Sequence, residues 1–83
     1  MTILRIGADS EKSIQFSPYS AAIALGTANA HVTGFYLISR STSDAIITPL
    51  TEQSKTDDFT VSVVSEGVVS IKTKSATDMK IFY

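Results

Sequence analysis

The chain has no cysteine and no tryptophan, one histidine, two prolines and four glycines in 83 residues. Each shortage removes a class of chemistry. Without cysteine there are no disulfides and no thiolate metal sites. With His31 as the lone imidazole, a Ser-His-Asp arrangement has only one place to form, and no serine lies in a G-x-S-x-G elbow. His31 stands between Ala30 and Val32, where a polar residue at the start of a strand is the simpler reading. Gly7, Gly26, Gly34 and Gly67 are far apart, so there is no glycine-rich phosphate loop and no dinucleotide fingerprint. Aromatic platforms for sugars or single-stranded nucleic acid reduce to Tyr19, Tyr36 and Tyr83, which are dispersed.

Charge is scarce as well. Asp, Glu, Lys and Arg make up 18% of the chain, seven basic against eight acidic. No basic run exists to neutralise phosphates, so a nucleic-acid partner is not expected. Asp57 and Asp58 are adjacent and point to opposite sides of an extended chain, whereas glycosidase chemistry needs two carboxyls converging on a substrate. Asp9, Ser10 and Glu11 offer oxygen ligands to a calcium ion, as do Asp57 and Asp58, but neither stretch has the spacing of a calcium loop. No apolar run approaches about 18 residues, and Met1-Thr2-Ile3-Leu4-Arg5 shows no basic region leading into an apolar stretch. A membrane is therefore not an expected partner. No catalytic residue, cofactor or metal is assigned, and the chain reads as a non-enzyme.

What is abundant is serine and threonine, 22 residues in all, set mostly between apolar residues. A strand surface solubilised by hydroxyls is weakly protected against edge-to-edge pairing. The clearest such stretch is Phe59–Lys74. Phe59, Val61 and Val63 alternate with Thr60 and Ser62; Val69, Ile71 and Thr73 alternate with Ser70, Lys72 and Lys74. Period-2 alternation rich in β-branched residues marks half-buried strands. A Ser65-Glu66-Gly67 loop pairs Val63 with Val69 and Val61 with Ile71, with Gly67 in the left-handed conformation. The same register sets Val64 against Val68 on the hairpin's back.

Thr2–Ile6 and Ser13–Phe16 read as a hairpin, Leu4 facing Ile14 and Ile6 facing Lys12. Ser17–Gly26 can be a two-turn helix, with Ser17 as N-cap, Pro18 at the first position, three alanines within and Gly26 after the last turn. It can also be a strand, with Tyr19, Ala21, Ile23 and Leu25 on one face. The caps favour the helix. Val32–Arg40 contains the unbroken apolar run Phe35–Ile38, which fits a central strand covered on two sides. Gly34 within it marks a bulge or a close approach. Ala45–Leu50 is a short strand pushed to an edge by Pro49. Thr51–Asp58 reads as a mobile polar loop. Asp78–Tyr83 completes a three-stranded meander, Met79, Ile81 and Tyr83 continuing the odd-numbered apolar face.

The expected fold is all-β: a single 1–83 domain forming a small antiparallel β-sandwich or barrel of six to eight short strands, with one short helix near 18–25. The expected role is a structural or assembly protein acting through protein–protein contacts, as a homo-oligomer or within a larger assembly such as a virion with accessory, decoration-type components. Its interface residues would be Val64, Val68, Phe82 and Tyr83, with Ile3 nearby. A carbohydrate-binding β module and a small protein inhibitor are the alternatives.

Overall fold

A computed structural model describes residues 1–27 and 32–83. Among these residues eight strands form two antiparallel sheets: β1 (Thr2–Ile6), β2 (Ser10–Gln15), β3 (Ala21–Thr27), β4 (Thr33–Arg40), β5 (Ala45–Pro49), β6 (Phe59–Ser65), β7 (Val68–Thr73) and β8 (Thr77–Phe82). The larger sheet has the order β1-β8-β3-β4-β5 and the smaller β2-β7-β6. They face each other as a sandwich. Ile6, Ala22, Ala24, Tyr36, Ile38, Met79 and Ile81 come from one side; Phe16, Phe59, Val69 and Ile71 from the other.

The Phe59–Lys74 hairpin forms as its alternation dictates, with Val63 opposite Val69 and Val61 opposite Ile71. Gly67 has φ 69°. One detail differs. A bulge between Val63 and Ser65 leaves Val64 without an opposite residue, and Val68 pairs with Ser65 instead. The extra residue lets a tight Glu66-Gly67 turn close strands whose apolar register is already set.

Other pairings depart further from local expectation. Residues 18–25 are not a helix. Ser17–Ser20 is a turn, closed by the Ser20 N–H to the Ser17 carbonyl at 3.3 Å, with Tyr19 at φ 60°. Ser17 and Pro18 are turn formers as much as helix starters. The alanines that follow enter β3, where Ala22, Ala24 and Gly26 point inward and Ile23 and Leu25 outward. A two-turn helix is marginal without packing, whereas β3 gains ladders on both sides.

β1 and β2 do not pair with each other. β1 pairs with β8, Leu4 facing Met79, and β2 pairs with β7, Ile14 facing Val69. The chain changes sheet through Gly7–Asp9, where Asp9 takes φ 54°. Likewise β8 leaves the expected meander and enters the larger sheet between β1 and β3. Met79 and Ile81 still reach the same core as Val69 and Ile71, from the opposite sheet. Tyr83 does not continue that buried face: it is exposed, and its ring is 6.2 Å from that of Phe16.

Pro49 ends β5, an edge strand. Gly34 is a close approach rather than a bulge: a Cβ there would lie 3.0 Å from the Phe59 ring. Nor is Thr51–Asp58 a free loop. Glu52–Lys55 forms a 3-10 turn capped by Thr51. It takes over the sheet edge where β5 stops, because Gln53 Oε1 accepts the Thr33 N–H at 2.8 Å and Ser54 Oγ accepts the Phe35 N–H at 2.6 Å.

Candidate functional site: an apolar outer sheet face

The two sheets turn very different outer faces to their surroundings. On the smaller sheet, Glu11, Ser13 and Gln15 lie beside Val68, Ser70 and Lys72, and these beside Thr60 and Ser62. Ser70 Oγ donates to Glu11 Oε2 at 2.8 Å, which satisfies the one buried hydroxyl of this surface. The face is polar, and Val68 on it is half-buried.

The larger sheet reverses this. Following the register across its strands, one row of outward residues reads Ile3, Lys80, Leu25 and Phe35. Leu50, whose N–H bonds the Phe35 carbonyl at 2.8 Å, extends it. The next row reads Phe82, Ile23, Leu37 and Thr48. A third carries Ala21, Ser39 and Ile46. Ile3, Ile23, Leu37, Ile46, Leu50 and Phe82 are between 37% and 63% exposed. An antiparallel sheet facing water normally alternates apolar-in and polar-out. This one is apolar on both faces. Together the outward apolar side chains offer roughly 500–600 Å², at the top of the range of about 300–600 Å² for the largest patch on a typical monomer. Charge on this face is Lys80 within the first row, and Arg5 opposite Asp78 along the margin beside it, their Nε and Oδ1 4.0 Å apart.

Of the residues expected at an interface, Phe82 lies on this face, beside Ile23. Ile3 is at its edge. Val64 does not join them; it stands 57% exposed on the bulge of the smaller sheet. Val68 is on the polar back of that sheet, and Tyr83 lies beyond the end of β8. The hairpin's back is therefore not the apolar surface. Ile23, Leu25, Leu37 and Ile46 escaped notice for a traceable reason. A helix over 18–25 hides Ile23 and Leu25, and a strand covered on both sides hides Leu37. The signal was present in the strand alternative for Ser17–Gly26 and in the unbroken run Phe35–Ile38.

Other candidates are dispersed by the fold. His31 lies outside the described residues. Asp57 bonds Lys74 Nζ at 2.7 Å, which lowers the Asp57 pKa and raises that of Lys74 through their hydrogen bond and opposite charges. The pair is solvated and sits with Asp9 around a polar depression of about 230 Å³. Tyr36 is core: burial pushes its phenol up to about 12, and its hydroxyl donates to the Ser54 carbonyl at 2.6 Å. Tyr19 and Tyr83 are exposed, but neither lines this depression or the open cleft of about 750 Å³ flanked by Arg5, Thr27, Asp78 and Lys80. Among the described residues no three His, Asp or Glu side chains cluster as metal ligands, and no helix is long and apolar enough to cross a membrane.

One feature at the opposite end of the sandwich has no counterpart in the sequence pattern. The Arg40 side chain is buried and gathers three loops. It donates to the Phe16 carbonyl, to the Thr42 carbonyl at 3.0 Å and to Glu66 Oε1 at 3.5 Å. It braces the structure rather than facing a cleft.

Fold and surface together define an eight-stranded antiparallel β-sandwich with one polar and one apolar outer face. Comparison of the chain with protein-family models, curated proteins and solved structures finds no match.

Proposed function

We propose that the protein is a non-enzymatic structural module that works by assembling with other protein chains, docking through the outer face of the five-stranded sheet. The carrying observation is the contrast between the two outer faces. Aliphatic and aromatic residues fill two adjacent rows of the larger sheet, interrupted only by Lys80 and Thr48, while the smaller sheet presents Ser, Thr, Gln, Glu and Lys around a half-buried Val68, with Val64 on its bulge. Extended apolar patches on small proteins mark sites of protein contact. The role fits an accessory component of a virion, of the kind that decorates a viral or phage capsid. In support stand the small size, hydroxyl-rich strands, near-neutral charge and the want of a convergent catalytic set in the sequence.

The test is photo-crosslinking in the protein's source. A photoreactive residue replacing Leu37 is expected to give a discrete protein adduct, and one replacing Lys72 on the polar back is not. Equal labelling at both positions, or none at Leu37, would remove the reading.

A further inference from the structure

We infer that the occupant of the apolar face is a second copy of this chain, packed sheet against sheet about a two-fold axis running along β3. The inference rests on the docking role just proposed and names its partner. Its grounds are the area of the face and the order of the residues across it.

A standard stable interface buries about 800 Å² per partner. The apolar side chains supply roughly 500–600 Å² of that, and Ala21, Ser39 and Thr48 surround them. A face of this size matches another face of the same size. A two-fold interface requires the patch to be complementary to itself, and β3 is the middle strand of five. Rotation about an axis along β3 brings each strand over its mirror position in the order: β8 over β4, β1 over the β5 edge, β3 over itself.

The consequences follow row by row. In the first row Leu25 meets Leu25, Ile3 falls over Leu50, and Lys80 falls over Phe35. The one charge within the apolar rows thus reaches an aromatic ring, where a cation is attracted rather than stranded. In the second row Ile23 meets Ile23 and Phe82 falls over Leu37. Asp78, opposite Arg5 on its own sheet, falls over the Thr33 strand position, so no like charges face each other. Aligned sheets cross at about 30°, which shifts the margins and leaves the axial residues in place.

The absence of cysteine makes the geometry directly testable, because an introduced thiol is unique. Purified Ile23→Cys, treated with a short bis-maleimide at several hundred micromolar, is expected to yield a two-chain product at least tenfold faster than Lys72→Cys. In a mixture, Leu37→Cys and Phe82→Cys are expected to join to each other faster than either joins to itself. Equal rates for Ile23→Cys and Lys72→Cys would overturn the dimer. Self-joining of Leu37→Cys and Phe82→Cys in preference to joining each other would overturn the axis. If Ile23→Cys fails to self-link while the Leu37 photo-adduct contains a different protein, the second copy is wrong and the docking role stands. If no photo-adduct forms either, both fall.

Discussion

Gly67 and Arg40 show how far one residue pair can organise the fold. Gly67 has φ 69°, a conformation that costs a residue with a side chain about 1–2 kcal/mol. A Cβ at that position would also run into the Arg40 guanidinium. That group bonds the carbonyls of Phe16 and Thr42 and reaches Glu66, so displacing it loosens the β2–β3, β4–β5 and β6–β7 connections together. Gly67→Ala is therefore expected to lower stability by about 2–3 kcal/mol, the backbone cost plus weakened charged hydrogen bonds. Urea denaturation checks it. A loss below about 0.5 kcal/mol would mean that neither the turn nor the guanidinium is as constrained as the geometry implies. The left-handed glycine was legible in Ser65-Glu66-Gly67. Arg40 was not, because a buried arginine at the end of an apolar strand has no periodic signature.

Among the elements, the 3-10 turn at Glu52–Lys55 replaces strand pairing that β5 is too short to give. Pro49 ends β5, and the N–H groups of Thr33 and Phe35 would otherwise face solvent at the sheet edge. Ser54 accepts the Phe35 N–H at 2.6 Å and donates to its carbonyl at 2.9 Å, while its own carbonyl holds the Tyr36 hydroxyl. Ser54→Ala leaves the partly buried Phe35 N–H without its acceptor, while the Phe35 carbonyl keeps the Leu50 N–H and the Tyr36 hydroxyl keeps the backbone carbonyl at position 54; the expected cost is about 1–3 kcal/mol. The Phe35 amide should then exchange with solvent markedly faster than in the parent. Unchanged protection and an unchanged midpoint would show that the turn does not hold the edge. At this scale the strands and their inward phases were readable, since alternation is local. Partner choice was not. Leu4 satisfies its phase equally against Ile14 or against Met79, and only the assembled sandwich decides between them. The helix expected near 18–25 failed for a related reason: Ser17 and Pro18 suit a turn as well as a cap, and long-range ladders outweighed alanine's helix propensity.

For the whole molecule, the Phe35–Ile38 run was sound as chemistry and incomplete as structure. It asked for a strand covered on two sides, yet the smaller sheet covers only one. The other side is the face on which Leu37 meets Ile23 and Phe82, and under the proposal above a second copy of the chain covers it. Of that face, Phe82 was legible from the alternation of β8, whereas its neighbours emerged only once β3 and β4 were laid side by side. Sedimentation equilibrium puts this to the most direct test. Between low and several hundred micromolar, the parent should move from 8.9 kDa toward twice that mass. Ile23→Lys, with an unchanged β-type circular dichroism spectrum, should remain a single chain throughout. A parent that stays at 8.9 kDa at every concentration, or a dimer that survives Ile23→Lys, would contradict a self-covered face.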